Sequence, residues 1–181
     1  MRVMKSREAL YLSESSIFYS LLSENSMSEN HPVKLFYSYS HKDMELCDEL
    51  ETHLKSLHDL GVISTWYDRK IELGAKWEKS IEDNLNAADI ILLLISANFL
   101  SSDSCKKEKE QAMKRYGTGE VKVIPISLEP CHPDGQDFME LQGLPSDFKP
   151  VTTWNNRNQA FAEIAKGIRE AAESIAAKKK L

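Results

Sequence analysis

Residues 87–116 read AADIILLLISANFLSSDSCKKEKEQAMKRY. Residues 90–95 form an unbroken apolar run, which reads as a strand buried on both faces. A polar break follows. The cluster Ser101-Ser102-Asp103-Ser104 is helix-opening chemistry, because short polar side chains accept hydrogen bonds from otherwise unpaired backbone N–H groups. The stretch is therefore strand, loop, helix. On that helix Cys105, Glu108 and Ala112 share one side, so Glu108 is expected at the margin of the inward face. Lys106, Lys107, Lys109 and Glu110 are expected on a solvated face.

The same pattern extends outward in both directions. Residues 33–39 (VKLFYSY) read as the first strand. Ser40 and Asp43 then match a capping box, in which each side chain reaches a backbone N–H of the other. Met44, Cys47, Leu50, Leu54 and Leu57 follow at helical spacing, and Gly61 suits a left-handed helix stop. Cys47 on that stripe reads as a small core residue. Residues 62–67 (VISTWY) form the second strand, and 68–74 (DRKIELG) a charged loop. Trp77, Ile81 and Leu85 mark a helix over residues 76–87. Residues 121–128 (VKVIPISL) form the fourth strand, where Pro125 argues for an edge-like position. A long connection holds one short helical piece near residues 137–141. Residues 150–154 are expected as a short fifth strand. A last helix carries Phe161, Ile164, Ile168, Ala171 and Ile175 on one stripe, and residues 178–181 form a basic tail.

Residues 1–32 look different from this domain. Leu10, Ile17, Phe18, Leu21 and Leu22 fit one face of a short helix, and residues 23–32 are polar without periodicity. Two readings stand: a loosely ordered or partner-docking extension, or a start of the natural chain at Met27.

Composition narrows the function classes. The chain has 181 residues, 41% of them hydrophobic, and a formal charge of −5. One domain of about 150 residues plus an extension fits that length. The acidic balance disfavours a nucleic-acid partner, which needs a basic face. No apolar run is long enough to span a membrane. Three separated cysteines do not make a disulfide framework, and they point to a reducing cytoplasm. Cys131 and His132 are adjacent ligand types without partners, so no metal site is expected.

Strands alternating with helices imply a parallel sheet covered on both faces and joined by right-handed crossovers. The expected class is a flavodoxin-like α/β sandwich with five parallel strands in the order 2-1-3-4-5. Its switch point lies between strands one and three. There Ser38, Tyr39 and Ser40 face Ser96, Ala97 and Asn98, the loop after strand two overhangs, and Glu108 looks in from the third helix.

Taken together, residues 33–175 resemble a TIR domain of the type common in bacteria. The first box is matched by LFYSYSHKD (residues 35–43). WYDRKIELGAKW (66–77) matches the mobile BB loop. ADIILLLISANFLSSDSCKKE (88–108) matches the third strand and the Ser-x-x-Cys-x-x-Glu pattern, and VIPISLEPC (123–131) and Trp154 also fit. Many TIR domains cleave NAD⁺ between nicotinamide and ribose, and the resemblance implies Glu108 as the catalytic residue. Other TIR domains only assemble, so an adaptor acting through TIR–TIR contacts is the alternative. A phosphoacceptor receiver shares the sheet, but it needs an Asp where strand three here ends at Ser96.

The resemblance and the expected cleft together give a substrate-binding set of Tyr39, Ser40, Asp68, Gly74, Trp77, Ser96 and Cys105. Tyr39 and Ser40 either contact the nucleotide or serve sheet-end packing and capping. Asp68 and Gly74 either shape the entrance and a neighbouring-subunit contact or are plain turn residues. Trp77 either stacks on a base or joins the core with Ile81 and Leu85. NAD⁺ is the implied substrate, with no cofactor. Self-association through TIR–TIR contacts and a separate sensor or effector are the implied partners, in a bacterial defence setting. Several bacterial TIR enzymes carry Trp four residues before the catalytic Glu. Ser104 occupies that place here, which favours hydrolysis to ADP-ribose over cyclisation.

Overall fold

The computed structural model describes residues 31–68 and 77–179. The expected extension up to residue 30 and Gly74 lie outside the described residues, as does the side chain of Trp77. Four strands, β1 (Val33–Ser38), β2 (Ile63–Trp66), β3 (Ile90–Ile95) and β4 (Lys122–Ser127), form one parallel sheet in the order β2-β1-β3-β4. The helices are α1 (Met44–Asp59), α2 (Trp77–Ala87), the short α3 (Ala97–Ser101), α4 (Asp103–Gly117) and α5 (Arg157–Lys179).

Strand alternation sorts the core into two layers, because successive side chains point to opposite faces. Leu35, Tyr37, Ile90, Leu92, Leu94 and Ile126 pack against Leu50, Leu54, Leu57 of α1 and Phe161, Ile164, Ile168 of α5. Phe36, Ile91, Leu93, Ile95 and Val123 pack against Ile81 and Leu85 of α2, Phe99 of α3, and Cys105 and Ala112 of α4. All six residues of β3 are fully buried, as its uninterrupted apolar run requires.

The expected fifth strand is not formed. Residues Val151–Thr153 make a 3₁₀ turn instead. Thr153 N–H donates to the Pro150 carbonyl at 2.9 Å and Trp154 N–H to Val151 at 3.2 Å, so these groups bond locally rather than across a ladder. The place beside β4 is taken by a single parallel bridge between Ile126 and Leu144. Pro145 follows directly and has no N–H with which to extend that pairing. The edge reading of Pro125 holds. Leu144 N–H donates to its carbonyl at 2.9 Å. The amide hydrogen Pro125 lacks would point to that same outer side, away from β3.

Two further expectations change. The helix break inside residues 97–103 adds α3, capped by Ser96, whose hydroxyl accepts from Phe99 N–H at 2.9 Å. The basic end is not wholly a tail, since α5 runs through Lys178 and Lys179. Lys179 Nζ pairs with Asp89 Oδ1 at 2.7 Å, and Asp89 Oδ2 also accepts from Lys34 N–H at 2.9 Å. No described helix is long and apolar enough to cross a membrane.

Candidate functional site

β1 ends at Ser38 on the face covered by α2 and α4. Ser38 is fully buried, and its hydroxyl donates to Glu108 Oε2 at 2.6 Å. That length is typical of a hydroxyl bonded to a carboxylate. Glu108 sits on α4 one turn past the buried Cys105 and one turn before the buried Ala112, so it is only partly exposed. This is the margin position its spacing predicts. Burial pushes its carboxyl up from 4.5 to about 7, the Ser38 hydroxyl pulls it down, and the charge of Asp68 pushes it up again. Desolvation therefore outweighs the one hydrogen bond favouring the ionised form.

Asp68 ends β2's excursion at the same edge. Tyr39 Oη donates to its Oδ1 at 2.9 Å, and His41 Nε2 pairs with Oδ2. The Tyr39 and His41 rings stack 5.8 Å apart and nearly parallel. Tyr39, His41, Asp68, Ser104 and Glu108 line one narrow hollow of about 10 Å³. On its other side Glu108 opens onto a cleft of about 330 Å³ between α2 and α4. Of the expected set, the structure thus brings Tyr39, Asp68 and Glu108 together.

Ser40, Ser96 and Cys105 do other work at their observed positions. Ser40 Oγ accepts from Lys42 N–H at 3.4 Å, opening a 3₁₀ turn over His41–Asp43. Ser96 is fully buried, and its hydroxyl donates to Asp43 Oδ2 while capping α3. Asn98 Nδ2 donates to Asp43 Oδ1 at 2.6 Å. The capping box is therefore half formed: Asp43 reaches across to the end of β3 rather than back to Ser40. That knot ties β1's exit to β3's exit. Cys105 is buried, and its thiol is pushed up to about 11 chiefly by burial, which leaves it a packing residue rather than a nucleophile.

Lys109 departs from its expected solvated face. Its side chain is only 14% exposed and its Nζ meets Asp137 Oδ1 at 3.2 Å and Gln136 Oε1 at 3.3 Å. The 137–141 segment that supplies Asp137 packs Phe138 into the core. The spacing of α4 alone had no means of showing that segment's return. His41 was not singled out from sequence, because its role depends on Asp68 arriving from a distant loop. Among the described residues no group of side chains is arranged to hold a metal ion.

A profile of the TIR domain family matches residues 35–168. "Uncharacterized protein y4lF" of Sinorhizobium fredii is 46% identical over 142 residues, covering 78% of this chain and 44% of that protein. The chain thus spans less than half the length of that relative. Among solved structures, the TIR domain of the Toll-related receptor TRR-2 from Hydra magnipapillata matches with a TM-score of 0.55 at 18% identity, covering 75% of this chain and 97% of that one. The TIR domains of the activated Roq1 resistosome, which recognises the pathogen effector XopQ, match with a TM-score of 0.59 at 16% identity, covering 75% and 99%. At these identities the structural likeness is one of fold. The family profile spans most of the chain and the same boxes, and the chain belongs to the TIR domain family.

Proposed function

We propose that this TIR domain cleaves NAD⁺ at the nicotinamide–ribose bond, with Glu108 as its catalytic residue. The observation that carries the reading is the setting of Glu108. It is a half-buried carboxyl at the sheet's carboxyl edge, oriented by Ser38 and open to a cleft of about 330 Å³. Ligands of open α/β sheets bind at that edge. The family resemblance supplies the reaction class.

The chemistry needs few groups. The C1′–N1 bond breaks, its electron pair goes to the ring nitrogen, and nicotinamide leaves neutral. No general acid is required. The ribose acquires oxocarbenium character, and a fixed carboxylate beside C1′ stabilises that charge. Water then adds to C1′ and releases a proton, giving ADP-ribose. Only the ionised Glu108 serves this role. The bound pyridinium favours that form, because an opposite charge nearby lowers a carboxyl pKa. Ser38 holds the carboxylate in one orientation as the charge develops.

A second reading, a TIR module that assembles without chemistry, is favoured by one feature. The hollow between Glu108 and the Tyr39–Asp68 pair is only about 10 Å³, far too small for a sugar or a base. On the enzymatic reading, assembly opens it. A bacterial defence role, with a separate sensor as trigger, belongs to the same proposal. The test is product analysis by chromatography with the chain concentrated to promote assembly. Equal amounts of nicotinamide and ADP-ribose from wild type, and none from Glu108→Ala, support cleavage. Silence from both variants under assembled conditions supports the module.

A further inference from the structure

We propose that His41 is a positioning residue of this site: it holds the Asp68 carboxylate on the Tyr39 side of the hollow and so keeps a second negative charge off Glu108. The inference rests on the NAD⁺-cleaving reading and adds to it the residue that sorts the two carboxylates. Asp68 and Glu108 line the same hollow of about 10 Å³. Like charges in so small a space oppose each other's ionisation unless separate donors hold them apart. The donors among the described residues are divided unequally. Asp68 receives two: Tyr39 Oη donates to Oδ1 at 2.9 Å, and His41 Nε2 pairs with Oδ2. Glu108 receives one, the Ser38 hydroxyl on Oε2 at 2.6 Å. Each oxygen of Asp68 is thus taken by a residue just past the end of β1.

Local structure places His41 for this task. Ser40 Oγ accepts from Lys42 N–H and opens the 3₁₀ turn over His41–Asp43. At the other end of the turn the buried Asp43 is tied to Ser96 and Asn98. The His41 ring lies against Tyr39 with 8° between the planes. A ring fixed this way loses little further freedom when it bonds to Asp68. The His41 side chain is 61% exposed and that of Asp68 only 11%, so the imidazole covers the carboxylate from the solvent side. Other groups also face Glu108. Glu78 and Glu82 of α2 and Lys107 of α4 line the cleft on its far side, and the Cys105 thiol lies one turn back on α4. Of these groups and Asp68, it is the charge of Asp68 that adds to burial in raising the Glu108 carboxyl. Without His41, the Asp68 carboxylate keeps its whole charge and is free to turn toward Glu108. Glu108 then takes up a proton at higher pH, and the form that serves the reaction is lost sooner.

The test is an NMR titration of the Glu108 carboxyl carbon in the purified full chain, from pH 5 to pH 8, with Glu108→Gln identifying the signal. His41→Phe keeps a ring against Tyr39 and removes the bond to Asp68. Its Glu108 midpoint is expected about 0.5–1 pH unit above that of wild type, the scale of one close charge pair. On the acid limb of kcat/KM for NAD⁺ the same shift reads as a loss of about three- to tenfold. Asp68→Asn removes the charge that His41 restrains, so adding His41→Phe to it should move the midpoint by less than about 0.2 unit. His41→Ala, which adds no bulk, repeats the measurement, and a thermal melt verifies that each variant is folded. An unmoved midpoint in His41→Phe and His41→Ala overturns the proposal. So does a full shift in the Asp68→Asn background, which would mean that His41 acts on Glu108 directly. The titration needs no turnover, so the failures are separable. An active chain whose midpoint ignores His41 overturns this inference alone. A chain whose midpoint moves as expected but which releases no nicotinamide overturns the cleavage reading and leaves the role of His41 standing.

Discussion

Replacing Glu108 by Gln is expected to stabilise the fold at alkaline pH while removing activity. Folding raises the carboxyl from 4.5 to about 7. Between those values the folded chain keeps a proton that the unfolded chain has lost, so stability falls as pH rises through this window. Each pH unit corresponds to about 1.4 kcal/mol, so the full penalty above pH 7 is at most about 3 kcal/mol. Glu108 is partly exposed, and solvent screening reduces this to about 1–2 kcal/mol. Gln keeps the shape and still accepts from Ser38, but it carries no charge to desolvate. The assay is thermal unfolding of both proteins from pH 5 to pH 8. The Tm difference, variant minus wild type, should grow by about 2–8 °C over that range, since 1 kcal/mol shifts a domain of this size by about 2–4 °C. Comparing pH values cancels any fixed effect of the amide on packing. A difference that stays flat, or that shrinks toward pH 8, refutes the buried-carboxyl reasoning.

Other expectations follow from the same contacts. The pH profile of kcat/KM should rise with an acid limb near 7, where Glu108 ionises in the free protein. Asp68→Asn should move that limb down, because the Asp68 charge pushes Glu108 up. Ser38→Ala should move it up, because it removes the bond that favours the carboxylate. Steady-state rates of nicotinamide release across pH read both shifts. Asp43→Ala should cost about 3 kcal/mol in chemical denaturation, because it strips the acceptor from the buried Ser96 hydroxyl and from Asn98. Cys105 should resist a thiol reagent in the folded protein and react only after denaturant is added, as its buried thiol at about 11 requires; reaction at the rate of an exposed thiol counts against that burial.

Local pattern carried the reading of β1 to β4 and of the long helices, because each has one strong periodicity. The six apolar residues of β3 admit no exposed face, and the stripe from Phe161 to Ile168 admits little besides a core helix. Glu108 was legible for the same reason: its offset from Cys105 and Ala112 puts it at the edge of the buried side. The failures lie where a residue's partner comes from far away in the chain. Val151 is β-branched and buried, as a strand residue would be, but Thr153 and Trp154 donate back to Pro150 and Val151 instead of across a ladder. Asp43 looked like a capping residue and bonds instead with Ser96 and Asn98, more than fifty positions later. Lys109 looked solvated because the returning 3₁₀ segment over Asp137–Glu140 leaves no trace in the periodicity of α4. The acidic rim of the α2–α4 cleft was equally hidden. Glu78 and Glu82 were not singled out from the sequence, because their place over the cleft depends on α4 lying beside them.

The most direct measurement is nicotinamide release from NAD⁺ by the purified chain at high concentration, wild type beside Glu108→Gln, with both proteins verified as folded by thermal melt. Release by wild type and its loss by a factor of at least about 100 in the variant is the predicted result, the scale seen when one group that stabilises transition-state charge is removed. Undiminished release by Glu108→Gln would contradict it, and would move the chemistry away from the carboxyl at the margin of α4.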